Sequence, residues 1–493
     1  MAQNSSKSFA DLDRRALWIL AAAAALGALV YLAASALTLR VGFPLDDSWI
    51  HLTYARNLAE RGEWAFLPGQ PSAGSTAPLW SALLAFGFWL RLAPYVWAYL
   101  LGALLLWTLA VTAELAVRRA VPTYRPRPPW AGLLFAFEWH LVWASVSGME
   151  TLLHALVVTL VLVLLTTNPP RPLTLGLLAG LSVWVRPDGL TLLGPVLVTL
   201  LVREKRISSL TRFFIGFGLL FGLYLLFNLM LSGNPFPNTF YAKQAEYAAW
   251  QARPIMERLG LHLLQILTGP SIVLLPGVIV WLVKSVRERD WATLAEMVWF
   301  AGYLLIYAYR LPPYQHGRYL MPAMPVFFLW GAMAVAHFSA PGNLTRWLGP
   351  VRIAWVSGIA LLALLFWGLG ARSYAQDVAL IESEMVTVAR WVDANLPPEA
   401  LVAAHDIGAL GYFDHHRLID LAGLVSPQVI PFLRDDEKLA EYLTAQRVDY
   451  FIAFPELYPG LAAQAEVVFR SGGLGPRMGG ENLVVYRWAL PPK

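Results

Sequence analysis

Long apolar runs separated by short polar clusters fill the first three quarters of the chain. The runs at 16–39, 94–117, 130–147, 150–167, 173–187, 189–202, 213–231, 263–283, 293–309, 319–338 and 352–371 are read as membrane spans. A spanning helix needs about 20 mostly apolar residues to cross a hydrocarbon core of roughly 30 Å, and the runs meeting at Arg186–Gly189 fall short of that length. Leu79–Leu90 is set apart, because its span at 1.5 Å per residue is only about 18 Å. Pro78 opens it and Arg91 with Pro94 closes it, which predicts an interfacial helix. From Ala371 onward the pattern becomes mixed. Compact apolar runs at Leu401–Ala404, Leu418–Leu421, Tyr450–Phe454 and Leu483–Trp488 predict strands. Glu382–Asn395 and Lys438–Gln446 predict helices. No internal repeat, heptad array or low-complexity segment is present.

Composition supports this partition. Of 493 residues, 57% are hydrophobic and only 14% charged, whereas a soluble domain carries about 25% charged residues. The net charge of +5 could suggest nucleic acid, but the cations cluster between apolar runs, where they set topology. With the N-terminus and Lys7, Arg14 and Arg15 in the cytoplasm, inner loops hold Arg118, Arg119, Arg125 and Arg127, then Arg171. Further along they hold Arg203, Lys205, Arg206 and Arg212, then Lys284, Arg287 and Arg289, then Arg346 and Arg352. Counting 79–90 as a span would invert these loops. The 16–39 run exceeds the roughly 7–15 residues of a signal-peptide core and is read as a retained helix. With no Cys, disulfides, thiolate metal sites and Cys nucleophiles are excluded. The expected fold class is a polytopic α-helical membrane protein of about eleven spans followed by an extracytoplasmic α/β domain. Its membrane part is 1–371, with a first outer loop at 40–93, and its terminal domain is 372–493.

This topology gathers polar residues on the outer face. The first loop holds Asp46, Asp47, His51 and Arg56, the second Ser147-Gly148-Met149-Glu150, and the third Arg186-Pro187-Asp188-Gly189. The fourth, 234–246, holds Asn238, Tyr241 and Lys243, and the fifth Tyr314, His316, Arg318 and Tyr319. Each has a plain alternative. One of Asp46 and Asp47 could cap the helix that follows. His51, four residues after Asp47, could bind a metal but is read as its hydrogen-bond partner. Arg186 and Arg318 could be interfacial anchors or, by their bidentate fork, phosphate ligands. Glu150 could complement a helix dipole, and Asp188 is read as a turn residue. Glu138 and His140, in mid-span, are read as making local polar contacts.

Leu45-Asp46-Asp47-Ser48-Trp49-Ile50, Tyr54-Ala55-Arg56-Asn57-Leu58 and Gly74-Ser75-Thr76-Ala77-Pro78-Leu79-Trp80 together resemble the first outer loop of polyprenyl-phosphate-dependent glycosyltransferases of the type C fold (GT-C). The likeness is greatest to the mycobacterial arabinofuranosyltransferase-like branch, with aminoarabinose transferases and protein O-mannosyltransferases more distant. Ser147-Gly148-Met149-Glu150-Thr151, Arg186-Pro187-Asp188-Gly189, Asn238-Thr239-Phe240-Tyr241-Ala242-Lys243, Arg318-Tyr319-Leu320 and Asp406–Tyr412 follow in a similar order. The resemblance implies a cell-envelope enzyme in the cytoplasmic (inner) membrane with its active site outside. Such an enzyme passes sugar from a polyprenyl-phosphate carrier to a glycan, lipid or protein hydroxyl, by an inverting mechanism with an Asp base. It implies Asp46 as base with Asp47 as partner, and Glu150 as a further acid orienting acceptor or metal. Lys243, Arg318, Arg186 and His316 would hold the donor phosphate, and Tyr241, Asn238 and His51 the substrate. Some relatives use a divalent cation, Mg²⁺ or Mn²⁺, for which Asp47 and Glu150 are the candidate ligands, and the residues leave this open. Membrane lipids are expected partners and nucleic acid is not. The Asp406–Tyr412 turn is expected to point toward the membrane domain. A hydrolase fits poorly, with no Ser-nucleophile motif or His-rich metal box. The rivals from other classes are a transporter or flippase of lipid-linked glycans and a membrane-anchored glycan-binding receptor.

Overall fold

The structure, a computed structural model, describes residues 12–340 and 349–488. Lys7 and Arg346 of the topological argument lie outside the described residues. Asp13 starts the first helix, Arg14–Thr38, by accepting the Ala16 N–H at 2.7 Å, which satisfies one of the donors a helix N-terminus leaves open. Among the described residues five helices are long and apolar enough to span: Arg14–Thr38, Pro94–Ala120, Ile207–Ser232, Trp291–Arg310 and Gly349–Asn395. The pair Ile255–Leu267 and Ser271–Glu288 together adds a sixth, bent by 103°. The chain is a multi-pass membrane protein.

Several expected spans are shorter than the sequence reading drew them. Thr151–Leu165, Pro172–Val185 and Met324–Ser339 have 15, 14 and 16 residues and so reach about 21–24 Å at 1.5 Å per residue. The 130–147 run breaks into Trp130–Phe137 and Trp139–Ser145, because Glu138 is extended and its carboxylate accepts the Leu141 N–H at 3.1 Å. Glu138 also lies 2.8 Å from His140 Nδ1, a local contact of the kind expected. After Arg186 the chain makes a 3-10 turn, Pro187–Leu192, before Leu193–Arg203 resumes the helix.

The first loop folds as the helix Asp47–Arg61, a small hairpin of Ala65–Leu67 with Gln70–Pro71, and the helix Pro78–Trp89 where an interfacial helix was expected. Gly62, at φ 69°, ends the first of these helices in the left-handed conformation that favours glycine. The composition change at Ala371 falls inside a continuous rod. Gly349–Ile381 runs through a π turn, Glu382–Val386, into Thr387–Asn395. Within that turn the buried Glu384 accepts the Leu483 N–H at 2.9 Å and the Ser471 hydroxyl, fastening the terminal domain to the rod. That domain is a five-stranded sheet ordered 417–420, 401–404, 450–453, 484–487, 466–470. The first three strands are parallel, and 484–487 is antiparallel to both of its neighbours. Leu439, Leu443, Phe451, Tyr458 and Leu461 form its core. The edge strand Glu466–Arg470 escaped the sequence reading, because its side chains are half-exposed and lack a buried apolar row.

Candidate active site

Two adjacent acids at the start of the first-loop helix face different ways, since successive helical residues turn by about 100°. Asp46 does not cap its own helix. Its carboxylate reaches into the terminal domain and accepts the Gly408 N–H at 2.6 Å and the Ala409 N–H at 2.8 Å. A Cβ at position 408 would collide with the Asp46 carbonyl oxygen, so only glycine permits this approach. Burial, then the nearby Asp406, push the Asp46 carboxyl up to about 7 against the lowering effect of the two backbone donors. Asp47 instead lines a cavity of about 30 Å³ with His51, Gly74, Thr239, Lys243 and Leu424. Arg318 Nη2 donates to Asp47 Oδ2 at 2.6 Å and to the Tyr319 hydroxyl at 2.9 Å. Burial pushes the Asp47 carboxyl up, but the Arg318 guanidinium and then Lys243 outweigh it and hold the group at about 2. Lys243 Nζ donates to the same Tyr319 hydroxyl at 2.9 Å. Arg318 is only 7% exposed, yet its Nε and Nη1 have no partner among the described residues. A buried donor without an acceptor costs about 1–3 kcal/mol, and more when charged. The open Nε and Nη1 form a planar fork of the kind that matches a carboxylate or a phosphate.

A second cluster binds the other loops. Arg186 Nη1 donates to Glu150 Oε1 at 2.6 Å, and its Nε to Asp188 Oδ1 at 3.1 Å. Asp188 Oδ2 also accepts the Tyr303 and Tyr307 hydroxyls, each at 2.6 Å. Asp188 is thus more than the turn residue it was read as, because its carboxylate anchors Arg186. Arg186, expected as a phosphate ligand, is engaged here by these two acids and, at 3.5 Å, by the Tyr307 hydroxyl. His51 does not bond Asp47: its Nδ1 lies 3.0 Å from Ser81 Oγ and its Nε2 3.3 Å from Glu150 Oε2. His316 is drawn away from Lys243 and Arg318. Its Nε2 lies 2.7 Å from Asp377 Oδ2 on the long rod, an oxygen that also accepts the Trp143 indole N–H at 2.9 Å. Asn238 fastens the fourth loop to the terminal domain, donating to the Leu424 carbonyl at 3.2 Å, while Thr239 Oγ1 donates to the Gly74 carbonyl at 2.8 Å. Tyr241 packs edge-on against Phe240 and does not line the Asp47 cavity.

Comparison of the whole structure with solved ones decides the architecture. The ArnT of Cupriavidus metallidurans bound to undecaprenyl phosphate superposes with a TM-score of 0.59 at 14% identity, covering 97% of this chain and 99% of that one. The Archaeoglobus fulgidus oligosaccharyltransferase in complex with Zn and sulfate gives 0.60 at 12% identity, over 90% and 68%. This chain has the type C glycosyltransferase fold. The mycobacterial arabinofuranosyltransferase AftD is similar at a TM-score of 0.50 and 14% identity, over 98% of this chain and 40% of that one. A family model described as a domain of unknown function (DUF8728) matches residues 373–486, the terminal part of the type C chain. A sequence search of curated proteins finds no match.

Within this fold the two candidate metal ligands do not make a cation cradle. Asp47 is engaged by Arg318 and Glu150 by Arg186, and among the described residues no three His, Asp or Glu side chains are grouped to hold a metal. On the terminal-domain side of the site, His405 and Arg434 were not singled out by the sequence. His405 lies 3.5 Å from Glu246 Oε1, which also accepts Arg434 Nη2 at 3.2 Å, and His405 Nδ1 is 2.8 Å from the Tyr458 hydroxyl. Burial lowers the proton affinity of His405, but Glu246 and Asp406 outweigh it and raise its pKa. The Asp406–Tyr412 segment does face the membrane domain. Besides the bonds to Asp46, Arg56 donates to the Tyr412 and Gly411 carbonyls at 2.7 and 3.1 Å.

Proposed function

We propose that this chain is a membrane glycosyltransferase that moves a sugar from a polyprenyl-phosphate carrier to an acceptor hydroxyl. The reaction occurs on the outer face of the cytoplasmic membrane, with the N-terminus inside and the terminal domain outside. The observation that carries the reading is the buried Arg318, with two unpartnered guanidinium nitrogens, set against Asp47 and beside Lys243. That the solved ArnT carries undecaprenyl phosphate supports the choice of donor.

Asp47 is the base and Asp46 its positioning neighbour. Geometry comes before pKa in choosing a base. Both Asp46 oxygens accept backbone N–H groups, whereas Asp47 lines the cavity. When the donor phosphate engages Arg318 it competes for the guanidinium that depresses the Asp47 carboxyl, so proton affinity returns to Asp47 as the donor binds. The acceptor hydroxyl then gives its proton to Asp47 as its oxygen bonds the anomeric carbon. The bond from that carbon to the phosphate oxygen breaks on the opposite face, which inverts the centre. The departing polyprenyl phosphate is stabilised by Arg318 and Lys243. Glu150, held between Arg186 and His51, orients the wall behind the sugar. At about 30 Å³ the cavity has room for a water or two, so substrate entry requires the terminal-domain wall at Leu424 to move outward.

The test is to incubate the full chain in nanodiscs with a panel of polyprenyl-phosphate sugars and measure release of the polyprenyl phosphate. Wild-type protein should consume at least one donor, and Arg318→Ala should need at least tenfold more of that donor to release polyprenyl phosphate at the same rate. Undecaprenyl phosphate binding that is equally tight in wild type and Arg318→Ala would overturn the reading.

A further inference from the structure

A second polar cavity lies at the opposite ends of the helices from Asp47. It has a volume of about 210 Å³ and sits between Pro94–Ala120, Thr151–Leu165, Ser271–Glu288, Trp291–Arg310 and Met324–Ser339. Arg119, Thr166, Lys284 and Asp290, which line it, lie at or near helix ends, on the cytoplasmic side in the topology proposed above. Glu296 and Trp281 line it and are only 5% and 6% exposed.

Two buried polar atoms here lack partners. Glu296 Oε2 accepts the Trp330 indole N–H at 3.3 Å, but Oε1 has no partner among the described residues, and neither does Trp281 Nε1. An orphan acceptor and an orphan donor in one apolar bundle each carry a desolvation cost unless something answers both. The other acid at the mouth, Asp290, is already engaged, accepting the Thr293 hydroxyl at 2.7 Å as it caps its helix. The cations are less satisfied. Arg119 makes no ion pair or hydrogen bond among the described residues, while Lys284 pairs with Glu288 at 2.8 Å and stacks 4.6 Å over the Trp281 ring.

Cations at the mouth and an acid deeper in define the ligand by its charge order: an anionic group near the surface, joined to a hydrogen-bonding cation that reaches inward. We propose that this cavity binds the headgroup of an aminophospholipid, phosphatidylethanolamine. Its phosphate is held by Arg119, Lys284 and the Trp281 indole N–H, and its ammonium by Glu296. A quaternary ammonium lacks N–H donors for Glu296 Oε1, and an uncharged glycerol headgroup leaves the carboxylate without a counter-charge, so phosphatidylcholine and phosphatidylglycerol are both rejected. The volume far exceeds the roughly 10–15 Å³ that one water requires.

The experiment is native mass spectrometry of the full chain released from detergent after exposure to each lipid. Wild type should retain phosphatidylethanolamine about tenfold more than the other two, one charge-assisted hydrogen bond being enough for that ratio. Glu296→Gln, which keeps an acceptor for Trp330, should erase the preference while leaving phosphatidylglycerol retention unchanged. Trp281→Phe, which keeps the ring under Lys284, should weaken retention of both. Equal retention of phosphatidylethanolamine and phosphatidylglycerol by wild type would reduce the site to an anion patch and overturn the proposal. Retention that neither variant changes would place the lipid elsewhere. Competition by soluble glycerophosphoethanolamine as effective as the lipid would show that the ligand is not a membrane component.

Discussion

Converting each of the two adjacent acids to its amide separates docking from chemistry. In Asp46→Asn one acceptor oxygen remains, but an NH2 group now faces either the Gly408 or the Ala409 N–H, which stand 2.6 and 2.8 Å from the present oxygens. Losing a hydrogen bond to a charged acceptor costs about 1.5–3 kcal/mol, and a buried backbone donor left unanswered costs roughly 1–3 kcal/mol. Burial and Asp406 push the Asp46 carboxyl up to about 7, so docking does not rest on its charge and the cost is that of one amide left facing an NH2 group, at the low end of these figures. A net loss of about 2 kcal/mol raises the undocked population about 30-fold. Hydrogen exchange over 408–413 in nanodiscs reads this directly, with sugar transfer measured on the same samples. Asp46→Asn should speed exchange about 30-fold and slow transfer only as far as docking is lost. Asp47→Asn should leave exchange unchanged and slow transfer by about 10²–10⁴, the usual cost of removing a positioned base. If Asp46→Asn leaves exchange untouched yet abolishes transfer, Asp46 is the base. If both variants transfer at the wild-type rate, the acid pair is not the catalytic centre.

Arg318→Ala and Lys243→Ala should each raise the donor concentration needed for half-maximal transfer by tenfold or more, whereas His316→Ala should leave it unchanged; donor titrations check this. Docking should loosen with rising pH: Asp46 and Asp406 have folded pKa values above their unfolded ones, so the stability they contribute is complete below the unfolded carboxyl range near 4 and is lost as pH rises through their folded values, about 7 for Asp46. His405, facing Glu246, Asp406, Arg434 and Tyr458, is also raised, so its contribution is complete below about 6.5 and lost above. Asp47 and Glu246 are shifted down and matter only under acid, so exchange at 408–413 that stays flat between pH 6 and 8.5 would refute this account. Cysteines introduced at the exposed positions Pro122 and Ser208 should label only from the cytoplasm, and those at Gln70 and Gln428 only from outside; external labelling at 122 would mean that 78–89 crosses the membrane.

What the sequence disclosed follows from how local each signal was. The strands at 401–404, 450–453 and 484–487 were legible because each buries a continuous apolar run, and the first-loop helices because proline and glycine punctuate them. The break at Glu138 was not legible, since an acid inside an apolar run does not announce that it will turn and cap the next segment. Motif order brought Asp47, Lys243 and Arg318 into one candidate set, and they do meet. It also enrolled Arg186 and His316, whose partners Asp188, Glu150 and Asp377 are set by packing between distant helices. Nothing local in residues 405–424 says that two of their amides will take the Asp46 carboxylate. That information lies in the closure of one domain on another.

The adjacency of Asp46 and Asp47 then acquires a physical reason. Consecutive positions on a helix cannot point the same way, so a pair of acids at its start serves two surfaces. One carboxylate holds the Gly408 and Ala409 amides, and the next faces Arg318 and the cavity whose far wall is Leu424. Since both ride on one rigid turn, a shift of the terminal domain that releases Asp46 must also disturb Asp47 and its arginine. Leu424 and Asn238 close the same wall from the other side. Binding of an acceptor between them would therefore act on Asp47 through the backbone of residues 46–47 and, on the proposed mechanism, couple which acceptor is seated to whether the proton can be taken.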